Sequence, residues 1–197
     1  LLWPALSLIT IAGAYLGLGA RVFGKKEDGT MRLFNRVWML PFCVPYELAW
    51  KFYLSRQQPA WHLIVPGLWL GRRVQASELP KGVGLVIDVT AEFEGFRAIR
   101  DNYTYWTLPT LDARAATKQS FKALSERIAK WTESGIYIHC AKGRGRSTTL
   151  LIAVLMERGQ VQTIDEAMDL IRGQRPQVRL HKPQREVLES LYEHHLA

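Results

Sequence analysis

GIYIHCAKGRGRSTTLLIAVLMER, residues 135–158, changes character twice, and its reading decides the fold. IYIHC (136–140) is short, apolar and β-branched, the pattern of a buried strand. STTLLIAVLMER (147–158) reads as a helix closed by Gly159. Between them lies AKGRGR, a loop of glycines and cations too short to fold by itself. A buried strand feeding a helix through a tight loop is an α/β unit.

That junction has a chemistry of its own. A helix start leaves backbone N–H groups unpaired and carries the positive end of the helix dipole, which suits a phosphate dianion. Gly143 and Gly145 let the loop turn its amides inward. Arg146 stands six positions after Cys140, so the loop can fold back and offer a guanidinium fork to two phosphate oxygens. The predicted phosphate-binding set is Ala141, Lys142, Gly143, Arg144, Gly145 and Arg146. The same field lowers the pKa of Cys140, and its thiolate can attack phosphorus. Ser147 is placed to hydrogen-bond the sulfur, and His139 is expected to orient the loop from behind.

Outward from this unit, VGLVIDVT (83–90) reads as a strand and YTYWTL (103–108) as another. KQSFKALSERIAKWTES (118–134) has Phe121, Leu124, Ile128 and Trp131 at helical spacing, with Gly135 ending it. Thr163 and Glu166 form a capping box for the next helix, and a last helix is predicted over 182–195. The fold class is α/β, a mostly parallel central sheet flanked by helices on both faces, occupying residues 61–197.

The chain of 197 residues carries a formal charge of +8, which points to an anionic partner. Residues 1–23 begin with an apolar run, LLWPALSLITIAGAYLGLGA, that is uncharged and long enough for a transmembrane helix. A secretory signal would place a basic stretch before such a run, and none precedes it. Residues 24–60 form a juxtamembrane segment. Arg21, Lys25, Lys26, Arg32 and Arg36 place this side in the cytoplasm by the positive-inside rule. VWMLPFCVPYELAW (37–50) is too short to span comfortably and reads as interfacial or re-entrant. A single pass keeps the catalytic domain on the cytoplasmic side, where thiols stay reduced. Cys43 and Cys140 are not expected to pair.

His139, Cys140, Gly143, Arg146 and Ser147 together resemble the signature loop of the protein tyrosine phosphatase superfamily, and the short domain resembles its dual-specificity branch. The resemblance implies the cysteine-phosphatase fold, a phosphocysteine intermediate and a general-acid aspartate on a separate loop. Asp112 in LPTLDARAAT is the candidate; Asp101 precedes a predicted strand, and Asp88 ends one and is expected to support loops. Arg144 within the loop, AEFEG (91–95) and RPQVRLHKPQREVL (175–188) further resemble the mitochondrial phosphatases of this type that act on phosphatidylglycerophosphate. Lys142 and Arg144 suit an acidic lipid headgroup, and Arg172, Arg175 and Arg179 could form a second anionic contact.

The expected partners are a membrane and an anionic phospholipid or phosphoprotein substrate. Neither a metal nor an organic cofactor is implied, since the loop supplies the positive charge. Nucleic acid is not expected, because much of the excess charge sits beside the membrane segment and no aromatic-basic platform is evident. The alternatives are a protein phosphatase, a non-catalytic phosphate-binding module and an RNA 5′-phosphatase.

Overall fold

The computed structural model describes residues 2–54 and 59–192. Alternating apolar side chains build its centre, a sheet of five strands among the described residues: β1 (Trp61–Val65), β2 (Leu68–Arg72), β3 (Val83–Thr90), β4 (Thr104–Thr110) and β5 (Gly135–Cys140). Their order in space is β1-β2-β5-β3-β4. β1 and β2 pair antiparallel, while β2–β5, β5–β3 and β3–β4 are parallel, so the sheet is mostly parallel as expected.

The period of two is visible in burial. Leu85, Ile87 and Val89 of β3 and Ile136, Ile138 and Cys140 of β5 join one core, whereas Val86 and Tyr137 face the other. The first core is covered by α5 (Lys118–Ala129), α6 (Arg146–Glu157), α7 (Ile164–Gln174) and α8 (Lys182–Tyr192). α6 is its axis. Residues Leu150 through Leu155 are fully buried, each large aliphatic contributing about 2 kcal/mol on leaving water. α4 (Arg97–Asn102) covers the opposite face through Ile99, together with Phe96, Tyr103 and Tyr105.

Two sequence expectations are corrected. The helix over 118–134 stops at Ala129, because Trp131 turns in to pack edge-on against Trp106 and donates its indole N–H to the Ser134 carbonyl. The strand over 103–108 runs to Thr110 through Pro109, which is tolerated because β4 is an edge strand. The final helix is described to Tyr192, and the predicted remainder to 195 lies outside the described residues.

The N-terminal apolar run forms a helix, α1 (Leu2–Gly13), followed by a π turn (Ala14–Leu18) and a 3-10 turn (Gly19–Phe23). By length and composition alone, Leu2–Phe23, 22 residues, is long and apolar enough to cross a membrane. Its regular part is shorter, 12 residues or about 18 Å. Gly17 and Gly19 break it with φ of +135° and +70°, angles that side-chain-bearing residues rarely adopt. The following residues form a small hairpin, with a Lys25–Met31 bridge, that docks on the domain where Gly95 N–H donates to the Gly29 carbonyl.

The segment 37–50 lies within two helices, α2 (Leu33–Trp38) and α3 (Leu40–Leu54), the second carrying Pro45 inside it. One face of α3 turns Cys43, Glu47 and Trp50 toward the α/β domain. The other carries Leu40, Val44, Leu48 and Phe52, four residues apart, facing outward and 36–62% exposed.

Candidate active site

β5 ends at Cys140, residues 141–145 form the loop, and α6 begins at Arg146, so the helix points its N-terminus at the sulfur. This lies at the carboxyl edge of parallel strands, the usual place for a site in such sheets. The loop conformation needs glycine at position 143: its φ is +65°, and a Cβ there would collide with the Gly71 carbonyl.

Cys140 is 3% exposed. Gly143 N–H donates to its sulfur at 3.2 Å and Ser147 Oγ at 3.3 Å. Burial pushes the thiol pKa up, but the Arg146 charge, the Ser147 hydroxyl and the backbone amides of Ser147 and Arg144 outweigh it, holding the thiol below its ordinary value. The second cysteine behaves oppositely. Burial, with Glu92 and Glu47 nearby, pushes Cys43 up to about 12. Both thiols are free.

Arg146 is almost fully buried, and its guanidinium edge is already engaged. Nη1 donates to Glu92 Oε2 at 2.7 Å and to the Thr110 carbonyl at 2.8 Å; Nη2 donates to Glu92 Oε1 at 2.8 Å. The sequence reading aimed this two-pronged fork at phosphate. Here the fork grips Glu92, while Nε has no hydrogen-bond partner among the described residues. Glu92 thus fixes the plane of the arginine and leaves its Nε side for a ligand. Asp112 lies 3.3 Å from Arg146 Nη2 with 56% of its side chain exposed, facing the same small cleft as Cys140. That cleft, about 60 Å³, is also lined by Lys142, Arg144, Gly145, Arg179 and His181.

His139 stands behind the loop, buried on β5, with Nδ1 unpartnered among the described residues. Burial lowers its pKa to about 4, with Lys25 and Arg73 adding to the effect and Asp88 opposing it. Asp88 binds Lys25 Nζ at 2.6 Å and the Tyr105 hydroxyl at 2.6 Å, and its other oxygen caps Thr90. Lys25 also donates to the Thr90 carbonyl at 2.8 Å. Burial raises the Asp88 pKa, but Lys25 and His139 overcome this and hold it well below the usual range.

The structure therefore gathers Cys140, Arg146, Ser147, Asp112 and the loop residues at one cleft. Arg179 joins them, but Arg175 and Arg172 do not. Arg175 is buried and spends its guanidinium on the Gly143 and Lys142 carbonyls and the His62 ring, and Arg172 lies at the surface near Asp169. Two participants escaped the sequence reading: Glu92, as the partner of the arginine, and Trp50, whose indole donates to the Ala141 carbonyl at 2.9 Å. A signal existed for the first, since a buried loop arginine requires a carboxylate and AEFEG follows a strand of the same sheet. None existed for the second, because Trp50 sits in a segment whose packing no local pattern predicts.

A family model, dual specificity phosphatase catalytic domain, matches residues 68–195. MAP kinase phosphatase with leucine-rich repeats protein 3 of Dictyostelium discoideum is 30% identical over 125 residues, 59% of this chain and 14% of that protein. Phosphatidylglycerophosphate phosphatase PTPMT2 of Arabidopsis thaliana is 45% identical over 54 residues, 27% of this chain and 23% of that protein. The chain thus spans less than a quarter of either relative. The crystal structure of PTPMT1 in complex with PI(5)P superposes with a TM-score of 0.61 at 20% identity, covering 69% of this chain and 96% of that one, a likeness of fold.

Proposed function

Because the chain belongs to the dual specificity phosphatase catalytic-domain family, we propose that it is a membrane-anchored, cysteine-dependent phosphatase acting on a phospholipid headgroup, with phosphatidylglycerophosphate or a phosphoinositide favoured. The catalytic half of the proposal rests on one observation: Cys140 lies within a loop whose amides, hydroxyl and arginine all favour its thiolate.

The reaction follows from that geometry. The ester phosphate sits on the loop amides and the Nε side of Arg146. Cys140 Sγ attacks phosphorus in line, the P–O ester bond breaks, and Asp112 in its acid form gives its proton to the leaving alkoxide. The phosphocysteine is then attacked by water, whose proton returns to Asp112 as the S–P bond breaks. Ser147 Oγ, 3.3 Å from the sulfur, hydrogen-bonds the departing thiolate. Inorganic phosphate leaves, and the enzyme is restored.

The lipid half rests on the position of the apolar segment. Arg114, two residues beyond Asp112, donates to the Tyr15 carbonyl at 3.2 Å. A cavity of about 550 Å³, lined by Ala14, Tyr15, Leu108, Leu111 and Arg114, opens between the end of the apolar run and the Asp112 loop. The outward stripe of α3 and the exposed Leu2, Leu6, Leu8 and Ile9 of α1 suit acyl chains, and a tethered site meets bilayer substrates at high effective concentration. The same anchor serves a membrane-bound phosphoprotein, and the likeness to a MAP kinase phosphatase favours that second reading.

The test is phosphate release by the detergent-purified chain from phosphatidylglycerophosphate, phosphoinositides and phosphotyrosine or phosphothreonine peptides, with Cys140→Ser as control. Lipid turnover that vanishes in the variant is expected. Turnover of peptides alone would replace the lipid reading with a tethered protein phosphatase. No turnover of any ester, with vanadate still bound, would leave a phosphate-binding module.

A further inference from the structure

Three successive carbonyls of the phosphate loop accept hydrogen bonds from outside it. Arg175 Nε holds the Gly143 carbonyl at 2.7 Å and its Nη2 the Lys142 carbonyl at 3.1 Å. Trp50 Nε1 holds the Ala141 carbonyl at 2.9 Å. In a planar trans peptide the C=O and the following N–H point in opposite directions. Each carbonyl tied outward therefore turns the next amide inward. The results are visible at two of the three peptides: Gly143 N–H reaches the sulfur at 3.2 Å, and the Arg144 amide also bonds it. By the same rule the Lys142 amide is turned by the bond from Trp50.

Trp50 is itself fixed. Its ring packs against Phe93 at 5.5 Å between centroids, and the Arg73 guanidinium lies 5.1 Å from its centroid. Arg73 is tied in turn to Glu47 of the same helix at 3.3 Å and to the Glu94 carbonyl at 2.9 Å. Phe93 neighbours Glu92, so the cluster braces the arginine-holding loop as well. Arg175 lies inside the span matched by the family model; Trp50 lies outside it.

We propose that Trp50 is a positioning residue of the active site, its indole N–H orienting the Ala141–Lys142 peptide so that the loop amide faces the reacting phosphate. The juxtamembrane helix α3 is then a working part of the catalytic apparatus. The inference rests on the phosphatase reading for its kinetic consequence, though not for its effect on the thiol.

Trp50→Phe removes the N–H and keeps the ring contacts. Two readouts are needed: kcat and KM for p-nitrophenyl phosphate in detergent, and the pH dependence of Cys140 alkylation by iodoacetate, with the labelled cysteine identified by peptide mass. Loss of one oriented amide is expected to lower kcat/KM roughly five- to tenfold, mostly through kcat. It should also displace the alkylation profile to higher pH, with the thermal midpoint near that of the parent. Leu48→Ala, on the outward stripe of the same helix, should leave both readouts unchanged. Unchanged kinetics and alkylation in Trp50→Phe would overturn the proposal. So would loss of the folded state, which would make the indole a stability element. If the parent hydrolyses no ester yet the alkylation profile shifts in Trp50→Phe, the phosphatase reading fails and the positioning role stands.

Discussion

Arginine 146 and its neighbours show how much work a single buried charge imposes. Its guanidinium is removed from water, so it needs a counter-charge, and Glu92 meets it with two hydrogen bonds. Removing one member of such a pair leaves the other uncompensated. Glu92→Ala is therefore expected to cost about 3–5 kcal/mol of stability and to cut kcat/KM by more than about 100-fold, since the clamp loses its fixed plane; urea unfolding and steady-state kinetics check both. Asp112 is mostly exposed and carries little structural load. Asp112→Asn should leave the unfolding midpoint close to the parent's and reduce kcat by roughly 10²–10⁴. The loss should be larger for alkyl than for aryl phosphates, because a poor leaving group depends more on the proton. Equal losses for both ester classes would count against a general-acid role. Cys140, Arg146 and Ser147 were legible in the sequence because their spacing follows from the chemistry of one loop, whereas Asp112 was a candidate only through the family resemblance, which calls for an acid on a separate loop. Glu92 was visible only as part of a resembling pentapeptide, and its role emerged once β3 and β5 were seen side by side.

The elements differ in the same way. β3, β5, α6 and α7 announce themselves through period, glycine and capping residues. The β1–β2 hairpin was not read from the sequence, because its apolar residues, Trp61, Leu63, Ile64, Val65, Leu68, Trp69 and Leu70, run without clean alternation and β2 is also paired with β5. The 24–32 hairpin was read as part of a basic juxtamembrane stretch, yet the Lys25 side chain is buried among Asp88 and Thr90. Charge counting cannot tell a solvated lysine from one that enters a core; only the position of Asp88 does. Lys25→Met should destabilise the protein by about 3 kcal/mol by stranding Asp88. Lys25→Met with Asp88→Asn should recover part of that loss, a coupling that a double-mutant cycle measures. At the loop itself, Gly143→Ala meets both a positive φ and the Gly71 carbonyl. It is expected to abolish turnover and to weaken vanadate binding.

For the whole molecule the decisive fact is a third core, apart from the two on the faces of the sheet. Ala91 and Leu111, each next to a residue that touches Arg146, are buried with Ala14, Phe23 and Met39. A chain shortened to begin at residue 59 would expose them, and is expected to aggregate or to lose turnover of soluble p-nitrophenyl phosphate. Retained full turnover of that ester would mean the segment serves anchoring alone. pH provides another global readout. The His139 pKa is lowered to about 4, chiefly by burial, so between that value and about 6.5 the unfolded chain binds the extra proton. Stability is fully present above the unfolded value and falls as pH drops through this window, by at most about 1.4 kcal/mol per pH unit from this residue. Denaturant titrations across the window should show the decline, and His139→Asn should flatten its own share of it.

The indole of Trp50 resting on the Ala141 carbonyl has a consequence for how such a chain can be rearranged. A simple tether is interchangeable: any anchor of similar length can be spliced to an enzyme, and the two halves can be shuffled independently. Here a cut near residue 60 would separate a loop from one of its supports. On the role proposed for Trp50, a chimera carrying a foreign segment in its place would inherit a phosphate loop without that support, so the two parts would have to be transplanted together.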